Sequence, residues 1–465
     1  MTDSRSDLPG TTQNTNSTRP DQPVQGNPSD QPTQSSRPAG PNHPARTPRT
    51  PRTPNPNRMN RKEWSWVLYD VGNSAFVMLS TAVIPIYVRG LIDGSIVVSW
   101  GITETIASLI VALLMPVLGS LADYQGNKKK FFIGAMGTGV LACAALSFPT
   151  EAILFLVIYV IAAVGLNSSM VFYDAFLIDT TTEEKYHSVS TKGFAWGYIG
   201  SMVPFLACLA LILMGDKLGV DAIFATRISF VVIAIWWLAF SMPLLKNVDQ
   251  IHFKPRPQKA ILSAFKGLAT TIKNIIKDKR LLFFMLAFFC YIDGVHTIIR
   301  MATSYGTDLG IESTDLLLAL VATQFVAFPA ALAYGKFAKR FGARIILIVS
   351  CIAYAMITLY AAFLLTTATD FWILAIAVGL FQGGIQALSR SYFGRLIPKN
   401  NANEYFGFFD IFGKYAAILG TFLMSMFTAI TGNASLGILS ITILFVLGAV
   451  FLAMMPKDSI KKDTE

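Results

Sequence analysis

From residue 64 onward the chain is a succession of long apolar runs separated by short polar connections. A bilayer core about 30 Å thick takes roughly 20 residues of helix to cross. Lipid offers no water to an open backbone, so only helices or closed barrels can span it. Barrel strands would alternate in polarity over about ten residues, whereas these runs are unbroken. The expected fold class is therefore an all-α membrane protein with twelve transmembrane helices, which the internal repeats described below divide into two pseudo-symmetric six-helix bundles. The spans read as 64–88, 97–121, 131–148, 152–178, 192–214, 223–245, 281–305, 315–334, 344–365, 371–389, 404–430 and 435–455. With 53% hydrophobic and 14% charged residues, an ordinary soluble domain is excluded.

The formal charge of +10 follows the membrane rather than a nucleic acid. Lys128, Lys129, Lys130, Lys185, Lys192, the connection 246–280, Lys336, Arg344, Arg395 and Lys399 fall on one set of connections. The other set has Arg89 and Lys217 against Asp93, Glu151, Asp216, Asp221, Asp308, Glu312 and Asp370. By the positive-inside rule both termini face the cytoplasm, as in a multi-pass protein of the cell membrane. The expected partners are a small-molecule solute and the lipid bilayer, with no nucleic acid and a monomeric unit. Cys143, Cys208, Cys290 and Cys351 lie inside apolar runs without CxxC spacing, so they read as buried hydrophobes. No metal site and no cofactor are expected.

Residues 1–63 hold 12 of the 22 prolines and read as a disordered, basic cytoplasmic tail. That tail is either simply solvated or tethered to anionic lipid. The bundles are expected at 64–245 and 281–456, with a short cytoplasmic tail at 457–465. Between them, 246–280 carries nine basic residues against two acids. Ile261, Leu262, Phe265, Leu268, Ile272 and Ile275 fall there at helical spacing opposite Lys259, Lys266, Lys273 and Lys277, the pattern of an amphipathic helix resting on a membrane surface.

The chain is also duplicated. The loop Gly119-Ser-Leu-Ala-Asp-Tyr-Gln-Gly-Asn-Lys128 shares a G-x-x-A-x-x-x-G-x-[KR] pattern with Gly335, Ala338, Gly342 and Arg344, at an offset of 216 residues. Tyr69-Asp70-Val-Gly-Asn73-Ser74 is echoed at an offset of 223 by Ile292-Asp293-Gly-Val-His296-Thr297. Six plus six helices with such repeats resemble the major facilitator superfamily, whose halves pack around a central cavity. Trp66-Val-Leu-Tyr-Asp-Val-Gly-Asn-Ser-Ala-Phe76, Phe172-Tyr-Asp-Ala-Phe-Leu177, Gly193-Phe-Ala-Trp-Gly-Tyr-Ile-Gly200, Tyr291-Ile-Asp-Gly-Val-His-Thr-Ile298 and Gly383-Gly-Ile-Gln-Ala-Leu-Ser-Arg-Ser391 resemble one branch of it. That branch is the vacuole-effluxer-like family of autophagy-linked amino-acid exporters and their bacterial relatives. The chain departs from the family pattern at Asp174, Ile292, His296 and Arg300, adding an acid, an imidazole and a guanidinium.

An ionisable residue inside the bilayer costs several kcal/mol unless paired or hydrated, so each is a candidate for the solute or proton pathway. Asp293, His296 and Arg300 share one face of the seventh span. An acid beside an imidazole suits proton transfer, and Arg300 suits a solute carboxylate. The bland alternative is neutralisation by neighbouring helices. Asp70, Asn73 and Ser74 share a face of the first span, where Asp70 either binds an ammonium or closes an inner gate with a basic residue. Gln382, Gln386 and Arg390 repeat every four residues beside Gly379 and Gly383, as a hydrogen-bonding stripe for a solute or as glue between helices. Asp410 and Lys414 form an acid-first pair with a structural role.

Asp123 is placed to sit on the positive end of a neighbouring helix and lock one side shut. The repeat has Lys339 there, so only the first half can make this latch. What the resemblance implies for Gly119, Asp123, Gly126, Lys128, Gly335, Gly342 and Arg344 is control of alternation between inward-open and outward-open states. Gly193, Gly197 and Gly200 read as a packing face, and Pro85, Pro204 and Pro329 as kinks. The phosphate-loop string nearest to a match, Gly407 to Gly413-Lys414-Tyr415, has one residue too many and lacks the hydroxyl, and HExxH and GxSxG are absent. An enzyme is therefore not expected. The reading is a secondary transporter working by alternating access, with proton-coupled export of small zwitterions such as amino acids. A sugar, drug or lipid-like cargo, or a non-transporting receptor or scaffold, are the alternatives.

Overall fold

The computed structural model describes residues 58–91, 96–308 and 310–456. The tails at 1–57 and 457–465, Asp93, and the side chains of Asp216, Asp308 and Lys414 lie outside the described residues. The first half contains α1 (Arg61–Ala82), α2 (Ile84–Arg89), α3 (Ile96–Ala122), α4 (Lys128–Ala145), α5 (Ala152–Thr180), α6 (Tyr186–Met214) and α7 (Ala222–Asn247). A linker helix, α8 (Ala260–Lys277), leads into α9 (Lys279–Asp308), α10 (Ser313–Phe341), α11 (Ala343–Phe363), α12 (Ala368–Leu396), α13 (Ala402–Thr431) and α14 (Ala434–Met454). Among the described residues ten helices are long and apolar enough to cross a membrane, with α1 and α2 taken as one. The helices α4, which opens on three lysines, and α13, whose first half carries Glu404 and Asp410, occupy the third and eleventh predicted positions.

Local chemistry sets the ends of these helices. Asn60 and Glu63 form a capping box, which starts α1 three residues before the predicted 64. Thr367 and Asp370 do the same for α12, and Asp221 accepts from Ile223 and Phe224 at the start of α7. The first span breaks at Val83, just before Pro85 at the start of α2. Pro204 and Pro329 instead lie inside continuous α6 and α10. Gly126 (φ 74°) and Gly342 (φ 85°) turn the two repeated loops through a backbone conformation that a side chain would strain.

The packing repeats like the sequence. In the first half α1 packs on α6 and α7, and α4 on α5; in the second, α9 packs on α13 and α14, and α11 on α12. The halves meet through α3 against α13 and α6 against α10. Small residues set how closely helices approach in lipid. A methyl group on Gly165 would come within 2.4 Å of the Gly139 backbone, and one on Gly119 within 2.5 Å of the Asn403 carbonyl oxygen. The first contact is inside one half and the second joins the two halves.

The two kinds of glycine should behave differently. Gly165→Ala forces α4 and α5 apart and should cost about 1–3 kcal/mol. Gly134→Ala, on the open face of α4 with nothing within 4 Å, should be neutral or stabilising by up to about 1 kcal/mol. Thermal unfolding of the purified protein measures both, and equal effects would refute the packing argument.

Candidate functional site

Two polar clusters lie at one end of the bundle, the end that carries the repeated loops. In the outer one, Asp123 follows the last residue of α3 and is buried against the start of α13. Its carboxylate accepts from the backbone N–H of Asn403 (2.9 Å) and Glu404 (3.1 Å) and from the Asn403 side-chain amide (2.7 Å). These are orphan donors of a helix N-terminus, where the helix dipole also favours negative charge. Asp123 thus ties the first half to the second, in the geometry that its sequence position implied. Its counterpart Lys339 is exposed. Burial pushes the Asp123 carboxyl up to about 7, while the charges of Lys254 and Lys128 and the hydrogen bonds from Asn403 pull the other way.

The segment after α7 is threaded into the same cluster. Lys254 pairs with Glu404 at 3.0 Å and exchanges backbone hydrogen bonds with Asp123 and Gln125. Thr271 of α8 also donates to Glu404. Asp179 accepts from the Ile251 and His252 backbones and the Lys128 ammonium, the last at 2.6 Å. Lys128 is thus a buried cation holding α4 to α5, whereas its repeat partner Arg344 donates to the carbonyls of Leu452 and Ala453 at the end of α14. One motif position does two jobs. Of the apolar residues predicted on α8, Ile275 is buried and Leu268 half-buried, while Ile261, Leu262, Phe265 and Ile272 are exposed.

One layer deeper, Arg390 of α12 reaches into the first half. Its guanidinium lies 2.9 Å from Asp174 and 3.5 Å from Asp70, and donates to the side chain and carbonyl of Ser190. Trp66, Phe194 and Tyr173 face it at 4.6, 4.5 and 5.3 Å. The Tyr173 hydroxyl donates to Asp70, and Asn73 lies 3.5 Å from the same carboxylate. Gly193 makes room: a methyl group there would come within 2.7 Å of Asp70 and 3.1 Å of Arg390. Asp70 is thus paired with a basic residue of the other half. Ser74 is set against Gly197 of α6.

The other predicted residues are spread more widely. Asp293 is fully buried between α9 and α13, and its Oδ1 accepts from the Gly420 backbone (2.9 Å) and from Thr297 (3.4 Å). Its Oδ2, also buried, has no hydrogen-bond partner among the described residues. His296 is half-buried and Arg300 exposed on the same helix. Gln386 donates to the backbone carbonyl of Gln382 within α12, and the Gln382 side chain meets the Tyr198 hydroxyl of α6, so part of that stripe is used between helices. Gly335 sits against Thr191 of α6.

Sequence reasoning missed Glu104 of α3, which accepts from the Tyr159 hydroxyl in the opposite part of the first half. A lone acid in an apolar run was the available signal. The partnership of Asp174 with Arg390 also had one: the two are 216 residues apart, the offset of the loop repeat. They are equivalent positions with opposite charges.

The family model described as vacuole effluxer Atg22 like matches residues 94–465. The MFS-type transporter YxiO of Bacillus subtilis (strain 168) is 44% identical over 413 residues, covering 86% of this chain and 96% of the relative. Autophagy-related protein 22 of Coccidioides immitis (strain RS) is 23% identical, over 78% of this chain and 73% of the relative. The match to autophagy-related protein 22-2 of Aspergillus clavatus, at 24% identity, spans only 43% of that protein. Among solved structures, the MFS transporter FucP in the outward conformation superposes with a TM-score of 0.66 at 15% identity, covering 85% of this chain and 98% of that one. The proton:xylose symporter XylE gives 0.64 at 12%, over 85% and 94%. At such identities the structures establish the fold alone.

The Asp123 latch should respond to pH. Against an open form with a hydrated carboxyl, the closed form binds the extra proton, so its stability is greatest below the ordinary carboxylate range and falls as pH rises to about 7. Spin labels at Lys130 and Lys339, one on each half, should move apart over that range and hold steady above about 7. Asp123→Asn should flatten the profile; an unchanged profile in that variant would place the titration elsewhere.

Proposed function

The chain belongs to the vacuole effluxer Atg22-like family of the major facilitator superfamily and is a multi-pass membrane transporter of a small solute; from that premise we propose that it works by alternating access and couples solute export to protons. In this reading the bundles 64–245 and 281–456 rock about their interface, the linker 246–280 tethers them, and the latch end faces the cytoplasm of a plasma-membrane protein. The cargo class is small zwitterions such as amino acids, and the working unit is a monomer.

The observation that carries the coupling reading is the side chain of Asp293. It is a carboxyl buried in a membrane helix with one oxygen satisfied by a backbone N–H and the other without a partner among the described residues. A carboxylate left so would bear the full cost of an unpaired buried charge, whereas a protonated carboxyl is neutral. A group that is neutral when shut away and ionised when hydrated is a proton carrier. Asp70, its repeat counterpart, instead has Arg390 and Tyr173 as partners. The two halves therefore divide the work between a gate and a carrier. A passive scaffold would have no reason to bear either group.

Proteoliposomes containing the purified protein should show amino-acid-dependent proton flux. Asp293→Asn should lower that flux at least about tenfold while thermal unfolding stays close to that of the wild type. Solute crossing at the wild-type rate with no proton movement in either protein would return Asp293 to a structural role.

A further inference from the structure

The guanidinium of Arg390 is a cation bound in a site built by the other half of the molecule. Its ion pairs, hydrogen bonds and ring contacts go to Asp70 and Trp66 of α1, Tyr173 and Asp174 of α5, and Ser190 and Phe194 of α6. All six belong to the first half, and Trp66, Tyr173 and Asp70 are also held to one another there. Trp66 and Tyr173 stack with centroids 4.4 Å apart, and the Trp66 indole N–H donates to the Tyr173 carbonyl. Tyr173 donates to Asp70, and the missing side chain of Gly193 leaves the space in which these groups meet. Two acids face a single resident cation, and three aromatic rings line the rest. Acids with aromatic walls recognise ammonium and guanidinium groups, through charge and through the ring quadrupole.

We propose that Asp70 and Asp174, walled by Trp66, Tyr173 and Phe194, form the receiving site for a cationic group on the transported solute, an ammonium or a guanidinium, and that Arg390 occupies it as a placeholder while the latch end is shut. The proposal rests on the alternating-access reading. When the halves part at that end, Arg390 leaves with α12, and the two acids and three rings stay behind together. An emptied site with two acids in an apolar wall is costly, and a solute cation offsets that cost. When the halves close again, Arg390 returns to the same carboxylates and displaces the solute. With the latch end sealed behind it, the solute can leave only in the other direction. Solute and Arg390 thus compete for one site, which makes loading and closure mutually exclusive.

The test uses the full chain in lipid nanodiscs, with spin labels at Lys130 and Lys339 reporting the latch-end distance, and two solutes differing only in the cationic group, leucine and N-acetylleucine, with agmatine as a third. Leucine or agmatine should shift the distance distribution towards the open latch end, and N-acetylleucine should not. Asp174→Asn should weaken the half-maximal concentration at least about tenfold, with Asp174→Glu recovering part of the loss. Arg390→Gln, which removes the competitor, should tighten it. Equal responses to leucine and N-acetylleucine, or no response to any amine in both the wild type and Arg390→Gln, would overturn the proposal. Counterflow in proteoliposomes separates the two readings. Amine-driven opening without flux would sink the transporter cycle and keep the site. Flux of solutes whose affinity ignores Asp174 would sink the site and keep the cycle.

Discussion

A bilayer core offers no water to a guanidinium, so Arg390 can lie within its span only where protein supplies every partner. The arrangement at the latch end follows from that constraint. The two carboxylates and the Ser190 acceptors come from three helices of the first half, which must be packed closely enough to converge on one point. Gly193 is the position that allows it, because any side chain there would push Asp70 and Arg390 apart. The aromatic rings add about 2 kcal/mol each when desolvated. A cation from one half whose described ion pairs lie in the other is also a joint between the two halves.

The contact around Asp123 joins the same two halves by a different chemistry. Its hydrogen bonds come from the N–H groups at the start of α13, with Lys254 as a more distant countercharge at 4.0 Å. The connection between the halves reinforces it, since Lys254 and Thr271 both hold Glu404 in that first turn of α13. The linker is therefore part of the closure. Its exposed Ile261, Leu262, Phe265 and Ile272 beside Lys266 and Lys273 suit the membrane surface on which such a helix would rest.

Duplication explains why the two halves fit and why they differ. The helices α5 and α12 have the same length, and their equivalent positions Asp174 and Arg390 meet across the interface with opposite charges. Asp123 has become Lys339, and Lys128 and Arg344 have taken separate structural partners. An identical pair at such a position would bring like charges together, so divergence in sign is what turns a repeated scaffold into one that can close on itself. The first-span and seventh-span acids diverged through their surroundings instead: Asp70 gained a cation, and Asp293 a backbone N–H.

Much of this was local enough to be read in the chain. Span positions follow from apolar length, and the turns at Gly126 and Gly342 from the residue that best tolerates their φ. Asp123 was legible as a helix-end contact because a carboxylate in a tight loop after one helix needs only some neighbouring helix end. Which helix end it finds was not legible, nor was the partner of Asp70, which lies 320 residues away. Periodicity places Asp293, His296 and Arg300 on one face, yet burial by α13 takes the first into the protein and leaves the last exposed. The sequence by itself determined the membrane fold, its duplication and which polar residues had to be explained, because transfer into lipid and helix geometry act within one segment. The tertiary structure decided which of those residues meet, because a contact between side chains hundreds of residues apart depends on the register and tilt of whole packed helices.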